Sequence, residues 1–505
     1  MKNMFFAAAV AAALNLCAQP EKIAAVKVAD NATFSAAVMK VAEFSGNSMA
    51  GAMLSGTLQN AAHLRFFGTL RNSEPTTCLM FAEGGALASA DEVQAALVCP
   101  VAVSKADFKK KHPGSTEKNG VVKVTKGPAV EIFDGTAYVV FSKDGKWAAA
   151  AKNEKIARAA LAESKFNEKP IGSDIARLYI MPAGVKRLAQ AVAESKNDGD
   201  IRSSADAKAL AERIKNGISA GYAAVSIGDK GIDLNVSLLP VKGSDYASLA
   251  SKAAIDVSGA LSRIPASAFA GSAFAAGMYD NGKLCAYVGE IKKTLEKNGV
   301  KMDALNVKVA GDMLAAGFDV RSFVKYMSDG GKAAFDKIDF AAMQRQLADV
   351  SAKYRETAGG KFDPSAKAGS SCISLPPFKP KRTVGELYGR VLPEFKSRRV
   401  LYAGVFSAYD AMKNIMEEIV KTSGRKDAQS AMIAQFMQMM PPAGDGGTAL
   451  AVWTEKGKVR YLMRVSPGEI KGFSSFLNLA AASAMSQASQ GFAQPQMLEI
   501  DGDDD

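Results

Sequence analysis

Ile232, Leu234, Val236 and Leu238 alternate with Asp233, Asn235 and Ser237, and this short run constrains the fold more than any other part of the chain. Successive strand side chains point to opposite faces. The run can therefore bury one face only, which predicts a strand in an antiparallel sheet. Gly228-Asp229-Lys230-Gly231 precedes it as a turn, and Tyr222, Val225 and Ile227 form the opposite arm of the hairpin. Upstream, Leu178 to Met181 reads as a short strand. Val185, Leu188, Ala189 and Val192 then fall at helical spacing, and Leu210, Ala211 and Ile214 mark a second helix. A further helix is expected from Ser244.

The same order recurs later. Val400 to Phe406 reads as a strand, followed by a helix with Met412, Ile415, Met416, Ile419 and Val420. A second helix with Ile433, Phe436, Met437 and Met440 is stopped by Pro441 and Pro442. Ala449, Ala451 and Trp453 lead into the turn Glu455-Lys456-Gly457-Lys458. Val459, Tyr461, Met463 and Val465 return, and Pro467 opens a helix. A partial third match joins the strand Ile23 to Val28, a helix around Val38, Met39 and Val41, and the hairpin Ala137–Phe141 with Trp147–Ala151, followed by a helix through Ile156 and Leu161. The expected fold is α+β: repeated strand-helix-helix-hairpin-helix units forming antiparallel sheets covered by helices on one face. A separate amphipathic helix is expected around Phe340, Met343, Leu347, Val350 and Tyr354.

These patterns divide the chain into a leader over 1–18, an N-terminal α+β unit over 19–170 and a middle α+β region over 171–357. A Gly- and Pro-rich linker over 358–385, a C-terminal unit over 386–490 and an acidic disordered tail over 491–505 follow. The leader has a positive start at Lys2, an apolar Ala-rich run to Leu16, and small Ala18 before Gln19-Pro20. That is the three-part pattern of a secretory signal, with an apolar run too short to span a bilayer. The expected location is therefore periplasmic or extracellular. Cys17 offers lipid anchoring as an alternative, but Leu16 stands where lipoprotein processing wants a small residue. The longest uncharged stretch, Gly472 to Leu498, is interrupted by Ser, Asn and Gln, so no transmembrane segment is expected in the mature chain.

Export bears on the cysteines. Removing the leader leaves Cys78, Cys99, Cys285 and Cys372, an even set that an oxidising compartment would allow to pair as disulfides. Sequence alone does not choose among the three pairings, and buried free thiols are the competing reading. Net charge is +12, and the acidic stretch Glu499 to Asp505 offsets a body that is more basic still. Export sets nucleic acid aside as a partner and leaves an envelope protein or an anionic envelope polymer. Lys379, Lys381, Arg382, Arg390, Lys396, Arg398 and Arg399 form the densest basic cluster and the candidate polyanion contact.

No catalytic, cofactor or metal residues are assigned. Gly217-Ile218-Ser219-Ala220-Gly221 fits the nucleophile-elbow pattern, but it runs from helix to strand rather than strand to helix, and no His lies downstream. Gly217 reads instead as a helix C-cap. The Ser-x-x-Lys matches at Ser115, Ser322 and Ser423 lack the companion elements of serine–lysine enzymes. Only two His are present. His63 reads as a core residue, and His112, beside Lys109-Lys110-Lys111, as an exposed polar one. The expected function is that of an exported non-enzymatic cell-envelope protein with a binding or scaffolding role. The alternatives are a carboxylate-dependent hydrolase acting on an envelope polymer and a basic module capturing an anionic polymer.

Overall fold

The alternating run around Val236 is a strand, paired on both sides. In the computed structural model, β10 (Gly231–Pro240) forms a hairpin with β9 (Ile218–Gly228) and pairs on its other edge with β18 (Lys458–Val465). The structure describes residues 20–46, 66–68, 70–71, 74–82, 93–127, 132–163, 166, 168–194, 204–244, 246–247, 255–256, 261–262, 270–275, 281–299, 305–310, 313–318, 339–353, 383–422, 434–435, 437–438, 440 and 446–475.

In chain order, β1 (Glu21–Val28) is followed by α1 (Asn31–Ser45), β2 (Thr76–Ala82) and β3 (Val93–Pro100). Next come α2 (Lys105–Lys111), β4 (Thr116–Lys118), β5 (Val121–Val124), β6 (Ala137–Phe141), β7 (Trp147–Ala151) and α3 (Glu154–Ala162). β8 (Asp174–Ile180), α4 (Pro182–Glu194) and α5 (Ser204–Gly217) lead into β9 and β10. β11 (Ile255–Asp256), β12 (Ala270–Ala275), α6 (Asn281–Lys297), β13 (Leu305–Ala310), β14 (Met313–Phe318) and α7 (Phe340–Lys353) follow. The last described part holds α8 (Val384–Val391), a short 3-10 turn (Pro393–Phe395), β15 (Arg399–Val400), β16 (Tyr402–Phe406), α9 (Ala408–Thr422), β17 (Thr448–Glu455) and β18, with a helix over 467–475. The mixed α+β class and the expected hairpins are present.

Among the described residues, sixteen strands join in one sheet, where the sequence pattern suggested separate ones. Its order is β13-β14-β12-β16-β17-β18-β10-β9-β8-β1-β2-β3-β7-β6-β5-β4, with β11 and β15 paired separately. Every pairing is antiparallel. The contacts β1·β8 and β10·β18 carry the sheet across residue 170 and across the 358–385 segment. Residues 358–382 and the stretch 491–505 lie outside the described residues.

Helices cover both faces, which corrects the single covered face expected from the alternation. β7 shows why, since all five of its residues are buried. Ala148 and Ala150 pack with Phe66, Phe108 of α2, Val122 and Val139 on one face. Ala149 and Ala151 pack with Ile156, Ala157 and Ala160 of α3 on the other. Small side chains let both layers approach the strand closely. Burying Phe108 and Ile156 is worth about 2 kcal/mol each. A third core sits under α8, where Leu387, Tyr388, Val391 and Phe395 meet Ala403, Ala451, Trp453 and Leu462.

Two other expectations change. His112 is buried, not exposed, with Nε2 2.9 Å from the carbonyl oxygen of Phe66. It caps α2 four residues after Phe108, so the two rings lie on the same inner side, and burial lowers the imidazole pKa. Gly217 ends α5 without a left-handed backbone. A Cβ there would stand 2.5 Å from the ring of Tyr246, so the glycine answers a close approach rather than a C-cap. His63 lies outside the described residues.

Candidate functional site

Strand register aligns side chains that lie far apart in sequence. On the face covered by α3 at one end and α8 at the other, Tyr179 stands opposite Tyr222, Tyr222 opposite Ser237, Ser237 opposite Arg460, and Arg460 opposite Trp453. These five residues form one straight row across β8, β9, β10, β18 and β17. The neighbouring rows on the same face place Arg177, Ala224, Asn235 and Leu462 together, and Ser226, Asp233 and Arg464 together. The strip is therefore polar and aromatic. The opposite face of the same strands carries Leu178, Val225, Leu234, Val236, Tyr461 and Met463. There, Gly184 of α4 sits so close to the carbonyl of Ile23 and to Ile180 that a Cβ would overlap them.

At its α3 end the strip is bounded by Phe166, whose ring meets Tyr179 edge-on at 5.2 Å. Tyr179 and Tyr222 are tilted at 6.0 Å, and the Arg177 guanidinium lies 6.0 Å from the Tyr222 ring while bonded to Asp174. Beside them Lys27 is buried, its Nζ donating to the carbonyls of Phe166 and Lys169. Desolvation, helped by the charges of Lys169 and Arg177, pushes this ammonium down to about 8.

At the α8 end Trp453 packs against Phe395 at 4.8 Å. Arg398 lies 5.1 Å and Arg460 5.8 Å from its ring. Arg460 also donates to Glu455. Arg464 is 5% exposed and joins three elements. It holds Asp233 of β10 through two hydrogen bonds of 2.6 and 2.7 Å, Glu394 at 2.8 Å, and the carbonyl of Val391 at 3.3 Å.

The sequence-derived candidates are distributed unevenly around this strip. Of the basic cluster, Arg390, Lys396, Arg398 and Arg399 are exposed, and Arg398 stacks on Trp453 at the end of the row. Lys379, Lys381 and Arg382 lie outside the described residues. Cys78 and Cys99 are free thiols here. Cys78 stands opposite Leu97, which puts Cys99 two residues along the neighbouring strand, about 7–8 Å away on the diagonal and wide of ordinary disulfide geometry. The side chain of Cys285, and all of Cys372, lie outside the described residues. Ser219 is a strand residue donating to the carbonyl of Leu239 at 2.9 Å, not an exposed elbow nucleophile. Among the described residues no group of three or more His, Cys, Asp or Glu is arranged to hold a metal ion, and no helix is long and apolar enough to cross a membrane.

The row itself escapes sequence reading. Tyr179, Tyr222, Ser237, Arg460 and Trp453 share no motif and are brought level only by pairing. The available signal was the polar side of the alternation, which marks Asp233, Asn235 and Ser237 but not their partners. Comparison with protein-family models, curated proteins and solved structures finds no match to this chain.

Proposed function

We propose that the chain is an exported, non-enzymatic binding or scaffolding protein of the cell envelope, and that the Tyr179–Trp453 row is where it engages its partner. The observation that carries this reading is the composition of the row. It is made of two Tyr, a Trp and an Arg with one Ser between them, and Tyr, Trp and Arg are the residues that dominate binding energy at protein surfaces. Tyr179, Tyr222 and Arg460 lie half-exposed and Ser237 and Trp453 are buried beside them, between two apolar cores, on strands that hold them in place before any ligand arrives. The hydrolase alternative gains little from the strip's carboxylates. Asp233 and Glu394 are bonded to Arg464 and Asp174 to Arg177, whereas glycoside hydrolysis needs a free carboxylic acid facing a second carboxylate. The leader pattern supports the exported location.

The same reading includes duplication. The order strand, helix, hairpin describes β8 to β10 and again β16 to β18. If the first residues after the two turns, Gly231 and Lys458, are taken as equivalent, then Asn235 and Leu462 are equivalent too. Those two residues face each other across the β10·β18 seam. Two related units meeting about a local twofold axis would pair in this way.

The test is capture from an envelope fraction by the mature chain, compared with Tyr179→Ala and Tyr222→Ala variants whose circular dichroism matches the parent. Both variants should lose the captured component. Unchanged capture by both would remove the row from the function. Recovery of an unprocessed chain from the cytosol would remove the envelope assignment.

A further inference from the structure

Resting on the reading of the strip as a binding surface, we propose that Trp453, Arg398 and Arg460 form a subsite for an oxyanion, a phosphate or carboxylate group carried by the partner. Three observations bear on it. Trp453 is 7% exposed, and its Nε1–H is buried without a hydrogen-bond partner. Arg398 is exposed and has no carboxylate partner among the described residues, its guanidinium resting on the rings of Phe395 and Trp453. Arg460 reaches the same ring and gives Nη1 to Glu455.

The donor set selects the ligand class. An indole nitrogen and a guanidinium can only donate. A group that meets all three side chains must therefore accept several hydrogen bonds at once, and it gains most if it is negative. A phosphate or carboxylate does both, and a guanidinium matches its planar pairs of oxygens. A neutral carbonyl would satisfy the indole and leave both charges unused. The surroundings carry the same sign: Lys396, Arg399 and Lys458 are exposed near Arg398 and Arg460 in sequence, and among the described residues Glu455 is the one carboxylate bonded within the group. Glu455 is thus the internal competitor that an incoming oxyanion has to displace or share.

The chain has two tryptophans, which makes the subsite directly observable. Trp147 lies in a separate core, with Ile156 and Val98, and serves as the internal reference. The full mature chain, with 15N-labelled indoles and the two signals assigned through Trp147→Phe, is titrated with inorganic phosphate, with poly-glutamate and with neutral dextran. The Trp453 indole signal is expected to move saturably with phosphate, with poly-glutamate or with both, and which of the two acts identifies the source of the oxyanion. The Trp147 signal and the dextran control should stay still. Arg398→Gln and Arg460→Gln should each raise Kd about tenfold, and Glu455→Gln should lower it several-fold. Because Glu455→Gln adds affinity, an unfolded arginine variant does not leave the idea without a test. No movement of Trp453 with either anion, equal movement with dextran, or titrations indifferent to all three substitutions would overturn it. Loss of capture in the tyrosine variants alongside a silent Trp453 would sink this subsite and leave the binding reading intact. A responsive Trp453 alongside unchanged capture would do the reverse.

Discussion

Arg464→Met should open the seam between β10 and β18. Arg464 is 5% exposed, Asp233 19% and Glu394 35%. Removing one member of a buried ion pair costs about 3–5 kcal/mol, because the carboxylates left behind stay desolvated. Glu394 can rehydrate from its exposed side, which moves the expectation to the low end, about 3 kcal/mol. Asp233→Leu alone leaves Arg464 with Glu394 and should cost about 2 kcal/mol. The double variant removes both halves of the Asp233 pair, so it should fall short of the sum by about 2 kcal/mol. A chain this long need not unfold in one step, so the suitable assay is native-state hydrogen exchange of peptides covering 231–240 and 458–465. A loss of 3 kcal/mol corresponds to exchange about 150-fold faster in both strands, with β5 and β6 unaffected. Strictly additive single variants, or unchanged exchange across the seam, would refute the claim that this ion pair holds it.

Three further outcomes are expected. Gly231 has φ +119°, and a Cβ there would lie 2.0 Å from the carbonyl oxygen of Val465. Gly231→Ala should therefore cost more than about 3 kcal/mol, while Gly228→Ala, with open space around it, should cost no more than about 1 kcal/mol, compared by denaturant midpoint. Lys27 has a folded-state pKa of about 8 against 10.5 for the free side chain, so the folded chain releases this proton first. Its burial penalty is then present in full below pH 8 and relieved as pH rises towards 10.5, and Lys27→Met should flatten the rise in stability across that window. Iodoacetamide at pH 8 should modify half-exposed Cys78 slowly and leave Cys99 untouched until unfolding, since burial raises both thiol pKa values. A native chain in which neither labels and whose mass is two hydrogens lower would contradict the free thiols.

The local elements could be read in the sequence where periodicity and turn chemistry agree. The hairpins around Gly228–Gly231 and Glu455–Lys458 follow from period-two alternation and glycine, and α4, α7 and α9 from apolar spacing near 3.6. The burial of both faces near β7 is invisible in that code, since Trp147–Ala151 has no alternation to announce two partners. Continuity of the sheet was hidden for a different reason. Nothing near β1 or β10 specifies that their free edges will find β8 and β18. The same gap hid the row from Tyr179 to Trp453, because one residue of slip in any strand would send its member to the other face. Ser237 was visible through the alternation of its strand, and Arg398, at the end of the row, as part of a charge cluster whose aromatic neighbours the sequence did not connect.

The seam has a consequence for how the chain is made. Asp233 and Arg464 are separated by 231 positions, so β10 emerges long before its partner strand exists. Until β18 is available to it, the outer edge of β10 has unpaired amides and carbonyls. An edge in that state is a template for any passing extended segment, including the same edge of another nascent copy. Asp233 and Asn235 put polar groups on that edge strand from the start, and they guard it until β18 arrives to close the sheet.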